Sequence, residues 1–521
     1  MRYRIFKQSL ALAITIFSLQ ISAQNITSLA RGIPEAGGVS SEGILNFVAA
    51  ADSGRHEFHS FMFLRHGKVI AGGWWSPYRP DLRHSLYSLS KSFTSTAVGF
   101  AVTEKLLSVG DKVISFFPDL LPDTVSQNLK DLTVKDLLTM SVGQDHDPTG
   151  SIRNWDADWV KSFLALPIKY KPGTKFLYNS AATFMLSAIV QKVTGQKVID
   201  YLKPRLFAPL GIEGMDWEVS PKNINTGGWG LRLKTEDLAK FGQFYLQKGK
   251  WNDKQLLPEK WINEATTIKI EQDPGASQAK KDSSDWLQGY GYQFWLCRNN
   301  TFRGDGAFGQ FVIVMPDQDA VVVITAETSD MQGELNLVWK YLLPSIQKNQ
   351  LPANPMMVDK LKKRLASLAL PIPVNNIVSQ WPGRISGKRY TLEPNSKHIN
   401  SIEFLFGEKR CEVSMKADSA SYKLAFGNGR LIPGETGKRG PSLLSNDRSD
   451  ISGLLPFKVA GSFMWQDENT LELTLRYIES PHSEKYICRF DGNNISIETR
   501  GSIDPKNKIT VLKGELDNPK N

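Results

Sequence analysis

Tyr87-Ser88-Leu89-Ser90-Lys91-Ser92-Phe93 is the stretch on which the reading of this chain turns. It opens a run, Ser88 to Lys105, whose apolar residues recur at helical spacing and which begins with serine, a residue suited to a helix N-terminus. Ser88 and Lys91 stand at i and i+3, so on the first turn of a helix their side chains share one face. A serine hydroxyl is a poor nucleophile until a neighbour takes its proton. A partly buried lysine with a depressed pKa, or a deprotonated tyrosine beside it, can do that. The helix N-terminus adds a backbone N–H able to face a developing oxyanion. The same Ser-x-x-Lys spacing recurs at Ser277 and Ser345. Ser277 lies in a Pro/Gly/Ser loop and Ser345 near a helix end before a linker; only Ser88 opens a long apolar helix. An ordinary helix-capping serine stays open as the alternative until the surroundings are read.

Around this motif the chain alternates strand and helix signals. Phe61 to Ile70 reads as strand, turn, strand, with His66-Gly67 at the turn. Leu132 to Met140 reads as a helix with Thr133 as N-cap, and Ala181 to Val193 as an apolar helix ending before Thr194-Gly195. Thr235 to Gln247 is amphipathic with a Thr cap. Phe311 to Met315 and Ala320 to Thr325, joined by Pro316-Asp317-Gln318-Asp319, read as a buried hairpin, and Asn336 to Gln347 as a closing helix. After residue 348 the texture changes. Asn349 to Asn376 holds several prolines around one basic helical segment. From Gly383 onward the pattern has period two: Ser401 to Phe406, Glu412 to Lys416, Tyr422 to Phe426, Thr470 to Ile478, Tyr486 to Phe490, Ile495 to Arg500 and Ile509 to Leu512. These observations predict a first domain over 24–348, a linker over 349–376 and an antiparallel β domain of the small-barrel kind over 377–521.

Composition sets the outer limits. The 521 residues are 41% hydrophobic and 22% charged, with 13 Trp and 26 Phe, enough for a sizeable core and unlike a disordered or collagenous chain. Three cysteines exclude a disulfide scaffold and a Cys-rich zinc fold. Arg2, Arg4 and Lys7 precede an apolar stretch from Ser9 to Leu19, followed by Ile21-Ser22-Ala23. This reads as a secretory signal over 1–23 cut after Ala23, which makes the protein secreted or periplasmic. The stretch is too short for a stable membrane span, and no Cys follows it for a lipid anchor. Its removal takes the formal charge from +10 to +7. The longest basic run, Lys362-Lys363-Arg364, reads as a solvated helix face, so no nucleic-acid partner is expected.

Four ordered motifs then carry a resemblance. Tyr87 to Phe93 resembles the first box of serine β-lactamases and penicillin-binding proteins. Phe176-Leu177-Tyr178-Asn179-Ser180, after Lys171-Pro172-Gly173-Thr174, resembles the second box of the class C branch, which includes D-amino-acid peptidases, esterases and 6-aminohexanoate oligomer hydrolases. Leu132 to Gly143 looks like the helix and turn between those boxes. Gly306-Ala307-Phe308-Gly309-Gln310 stands where the third belongs. The resemblance spans about residues 45–345. It implies a β-lactamase/transpeptidase-like α/β (α+β) fold, with an antiparallel sheet that carries the third box on an edge strand and a helical lobe that carries Ser88. It also implies that Ser88 is the acylated nucleophile, that Lys91 holds a proton and tunes its neighbours, and that Tyr178 is the base for attack and the acid for the leaving group. The N–H groups of Ser88 and Ala307, in the Gly306-Ala307 turn, would form the oxyanion hole. No metal or cofactor is required.

Two positions depart from the family pattern. The second box usually ends in Asn two residues after Tyr; here Ser180 stands there and Asn179 comes one earlier, so either could face substrate. The third box usually begins with Lys or His; here Gly304-Asp305-Gly306 offers no cation, with Arg303 one residue before as a partial substitute. That cation normally helps place a substrate carboxylate. Its absence argues against a strong β-lactamase and for ester or uncharged amide substrates, peptide-like or oligoamide, with peptidoglycan fragments among the candidates. The altered boxes also leave room for a catalytically weak cell-wall binding protein; a true β-lactamase is the third reading, and the missing cation predicts little nitrocefin turnover.

The other features have plain readings. His56-Glu57-Phe58-His59 lacks the His-Glu-x-x-His spacing, and neither a Gly-x-Ser-x-Gly elbow, a P-loop nor a dinucleotide fingerprint occurs. His84 and His146 are not needed by a Ser/Lys/Tyr site. Trp229 and the run Tyr290 to Trp295 are core or cleft lining. Cys411 and Cys488 fall on or beside β-domain strands, where a disulfide would be possible in an oxidising compartment.

Overall fold

The computed structural model describes residues 28–151, 157–374, 377–418, 420–443, 452–505 and 509–517. The expected leader over 1–23 lies outside them. The first domain is built on a six-stranded antiparallel sheet of β1 (Glu57–Arg65), β2 (Lys68–Trp74), β3 (Trp295–Cys297), β4 (Thr301–Gly306), β5 (Gln310–Met315) and β6 (Ala320–Glu327), in the order β2-β1-β6-β5-β4-β3. β1 and β2 meet at His66-Gly67, both at positive φ, a turn whose twist suits a two-residue hairpin.

The strands are apolar throughout because both faces are covered, yet period two still sorts their residues. Met62, Leu64, Val312, Val314, Val321 and Val323 face the helical lobe. Phe61, Phe63, Phe311, Ile313, Val322 and Ile324 face an outer layer that includes α1 (Ser41–Ala51). The helical lobe is centred on α2 (Ser90–Thr103), α3 (Ser180–Thr194) and α4 (Thr235–Leu246). Every α2 residue from Ser90 to Ala101 is buried, so this helix runs through the core rather than over it. The expected Thr cap of α4 differs: Lys234 is the N-cap, and Asp237 accepts from its backbone N–H.

The segment expected as a linker contains α5 (Pro355–Ala366), whose Leu361 joins the outer layer, as does Leu368 just beyond the helix. It is thus part of the first domain's wall, with Lys362 and Lys363 exposed and Arg364 bonded to Asp52.

The second domain is a closed barrel of β7 (Lys388–Leu392), β8 (Ile399–Phe406), β9 (Arg410–Ala417), β10 (Ser421–Asn428), β11 (Ile432–Thr436), β12 (Phe457–Trp465), β13 (Thr470–Tyr477), β14 (Ser483–Asp491), β15 (Asn494–Gly501) and β16 (Thr510–Leu516). Inward residues such as Phe404, Val413, Leu473, Tyr486 and Ile497 fill it. Closure comes from a parallel pairing of β10 with β12 at Phe426–Gly461. A Cβ at Gly461 would stand 2.2 Å from the Ala425 carbonyl oxygen, so only glycine allows this approach. Cys297, Cys411 and Cys488 are all free thiols, so the disulfide does not form.

Buried and partly buried ion pairs join the domains. Arg83 bonds Glu479 of the barrel at 2.9 Å, Arg232 lies 3.5 Å from the same carboxylate and also pairs with Asp216, and Arg476 of the barrel bonds Glu57 at 2.6 Å. Among the described residues no helix is long and apolar enough to cross a membrane, and no group of three or more His, Cys, Asp or Glu could hold a metal ion.

Candidate active site

Ser88 lies in a single 3-10 turn, Tyr87–Leu89, that runs directly into α2, so the α-helix begins at Ser90, two residues after the expected start at Ser88. Tyr87 has φ of +47°, which redirects the chain so that Ser88 remains partly exposed while its neighbours are buried. Lys91, on the first turn of α2, is only 1% exposed. Its Nζ donates to Ser88 Oγ at 3.0 Å, Ser180 Oγ at 2.9 Å and the Gly228 carbonyl at 2.8 Å. All three acceptors are neutral, so burial dominates and pulls the ammonium pKa down to about 7, with the more distant Asp147 and Asp305 opposing it weakly.

Tyr178 comes from the segment leading into α3. Its ring stacks on Trp295 with centroids 5.6 Å apart, and Lys91 Nζ lies 4.8 Å from the ring centre. Burial, reinforced by the Asp305 carboxylate, drives the phenol pKa far up against the opposing pull of the Ser88 side chain, so it stays protonated. The three residues singled out in the sequence therefore converge on one point.

The second box resolves by helix capping. Asn179 is the N-cap of α3: its Oδ1 accepts from the Ala182 N–H at 3.0 Å and its amide donates to Gln144 Oε1 at 2.6 Å. Fully buried and so occupied, Asn179 does not line the cleft as a substrate-binding residue. Ser180, one residue on, turns its hydroxyl to Lys91.

The third box lies on β4. Short β3 flanks only Thr301–Arg303, so Gly304–Gly306 has a free edge. A Cβ on Gly306 would meet the Leu86 carbonyl oxygen at 2.1 Å and one on Gly304 would meet Leu89 Cδ1 at 2.2 Å, so these glycines bring the strand flush against the Ser88 turn. Ala307 follows in the partly exposed β4–β5 turn, which the Gln310 amide braces by donating to the Ala307 carbonyl at 3.1 Å and the Ala326 carbonyl at 2.7 Å. Arg303 does not stand in for the missing cation. It is fully buried, bonds Asp305 and the Asp285 carbonyl at 2.8 Å each, and lies over the Trp286 ring.

Sequence reasoning missed several supports. Gly228 enters only through its carbonyl, which no motif announces. Gln293 knits the lobe together: its amide donates to the Leu137 and Leu138 carbonyls, its Oε1 accepts from Thr183, and its carbonyl accepts from Ser92. Its φ of +64° belongs to the folded backbone and has no mark in the sequence. Trp229 is core, stacked on Trp159 and donating to Glu218. Tyr290 and Trp295 back Phe176 and Tyr178 in a separate aromatic cluster beside the site.

Comparison with known proteins follows this geometry. A family model described as Beta-lactamase matches residues 48–342. The 6-aminohexanoate-dimer hydrolase of Paenarthrobacter ureafaciens is 26% identical over 286 residues, covering 51% of this chain and 71% of its own. The lovastatin esterase of Penicillium rubens is 27% identical over 170 residues, covering 28% of this chain and 42% of its own. Among solved structures, the octameric penicillin-binding protein homologue from Pyrococcus abyssi aligns over 91% of this chain and 99% of its own, at 17% identity and a TM-score of 0.46.

Proposed function

Because this chain belongs to the Beta-lactamase family, we propose that it is a serine hydrolase that cleaves esters or amides through an acyl-enzyme on Ser88. The observation that carries this is Lys91: a buried amine 3.0 Å from Ser88 Oγ, with neutral acceptors only and a pKa near about 7. In its neutral form it donates two N–H bonds, to Ser180 and Gly228, and its lone pair faces the Ser88 hydroxyl. Lys91 takes the Ser88 proton as Oγ attacks the carbonyl carbon, and the oxyanion develops toward the Ser88 and Ala307 N–H groups. Tyr178, protonated at rest, donates to the leaving alkoxide or amine and regains its proton from the Lys91 ammonium. Water then repeats the sequence on the acyl-enzyme. In this reading the base for attack moves from Tyr178 to Lys91, while Tyr178 keeps the expected role of acid for the leaving group.

The substrate reading rests on Asp305. Where the family pattern has a cation this chain has Gly304, and the next residue, Asp305, is a carboxylate whose arginine partner is buried. A substrate carboxylate finds no partner there, which favours uncharged ester or oligoamide acyl groups over lactams and C-terminal peptides. The similarity to an amide-oligomer hydrolase and an esterase is in keeping with this. In the same reading residues 1–23 are a leader and the protein acts outside the cytoplasm on a small-molecule or peptide-like substrate.

Treatment of the protein with a fluorophosphonate, followed by mass spectrometry, tests the nucleophile: an adduct on Ser88 that is lost in Ser88→Ala is expected. Absence of an adduct with fluorophosphonate, p-nitrophenyl ester and penicillin probes alike sinks the proposal. Nitrocefin turnover at ordinary enzyme rates would instead make the protein a β-lactamase.

A further inference from the structure

His482 of the barrel reaches the site, beside Leu443, whose N–H donates to the Tyr87 hydroxyl at 3.5 Å. His482 lies between β13 and β14 and is 1% exposed. Its Nε2 is 2.6 Å from the Tyr87 hydroxyl, and its Nδ1 is 2.7 Å from Glu327, at the end of β6. The carboxylate fixes the proton on Nδ1, so Nε2 accepts from Tyr87. The Ser502 hydroxyl, also from the barrel, donates to the same Glu327 oxygen. The imidazole further meets the Phe308 ring edge-on at 4.8 Å, and Tyr87 meets Phe308 at 5.5 Å.

Tyr87 immediately precedes Ser88, and Phe308 immediately follows Ala307. These neighbours flank the two N–H groups assigned to the oxyanion. Both are non-glycine residues in the left-handed region, with φ of +47° and +67°. Such conformations cost energy and persist only where surrounding contacts hold them. Here one imidazole from the other domain touches both.

We propose that His482 is a positioning residue: by holding Tyr87 and Phe308 together it sets the spacing of the Ser88 and Ala307 N–H groups, so the barrel is a working part of the catalytic unit. This rests on the acyl-enzyme reading for its consequence in turnover, but the clamp itself is independent of it. A small misplacement of transition-state donors costs rate more than ground-state binding.

The full-length protein and its His482→Ala, His482→Gln and Tyr87→Phe variants are compared with a p-nitrophenyl ester. His482→Ala is expected to lower kcat about 10- to 100-fold with KM within about twofold. His482→Gln, which keeps a polar group within reach of Tyr87, is expected to recover part of the loss. The double variant His482→Ala/Tyr87→Phe is expected to be no worse than His482→Ala alone. Hydrogen exchange of the same proteins reads the clamp without turnover: His482→Ala is expected to lose protection in the segments 84–92 and 305–312 together. Unchanged exchange in both segments overturns the proposal even if the wild type proves inactive, as does a kcat within threefold of wild type. A wild type that reacts with no acylating probe overturns the acyl-enzyme reading alone.

Discussion

Two buried cations, Lys91 and Arg232, are each 1% exposed, yet the molecule treats them in opposite ways. Arg232 stands between two carboxylates, Asp216 and Glu479, with Arg83 on the same pair, so four charges from the two domains neutralise one another. Lys91 is surrounded by hydroxyls and a carbonyl, which satisfy its protons but supply no countercharge. Burial with opposite charges fixes an ionic state and joins two domains. Burial without them pulls the ammonium pKa toward neutrality and leaves a group able to exchange a proton.

The hardest blow to that contrast is Lys91→Met. It is expected to lower turnover of an ester substrate by roughly 10²–10⁴-fold, as loss of an acid–base group does. The wild-type kcat/KM is expected to rise through pH 7 and level off above it, falling to about a tenth of its plateau near pH 6. The sign for stability runs the other way from an ordinary paired lysine. The folded pKa, about 7, lies below the ordinary value near 10.5, so between them the unfolded chain holds a proton that the folded chain lacks. Stability from this group therefore rises with pH across that window, and Lys91→Met removes the slope, readable as Tm against pH. A Lys91→Met protein within tenfold of wild type would end the distinction between the two cations.

Glu479→Gln attacks the other side. It leaves two buried guanidinium groups sharing the single carboxylate of Asp216, and breaking such a pair costs about 3–5 kcal/mol. The expected readout is a lower urea midpoint. An unchanged midpoint would mean that these charges do not weld the barrel to the first domain.

How much of this the sequence showed depends on whether a property is local. The hairpin at His66-Gly67, the Thr133 cap and the apolar α3 were legible because turn chemistry and helical period act within a few residues. Ser88, Lys91 and Tyr178 were legible through their boxes, and the structure brings them together. β12 was passed over because Gly461 interrupts its pattern, and that glycine is needed where a distant strand closes the barrel. Arg303 looked available because a sequence does not say which side of a strand covers it. Asn179 and Ser180 could not be separated until the start of α3 was known, since the N-cap position decides which side chain turns inward. Gly228 and His482 act from far along the chain through a carbonyl and a ring edge, contacts that leave no local pattern.

The smallest expected effect probes the finest part of the contrast. Ser180 accepts a proton bond from Lys91 at 2.9 Å, and this bond favours the charged amine. Ser180→Ala removes one of three acceptors from the ammonium while leaving Gly228 and Ser88 in place. With less to stabilise the cation, the midpoint of the kcat/KM profile should move to lower pH, by about half a unit, with the plateau within a few-fold of wild type. Ser180→Asn, which restores the usual family residue, should leave the midpoint near its original place because the side-chain carbonyl is again an acceptor. If Ser180→Ala raised the midpoint, the hydroxyl would be acting on the neutral amine instead, and Lys91 would owe its low pKa to its neighbours rather than to burial alone.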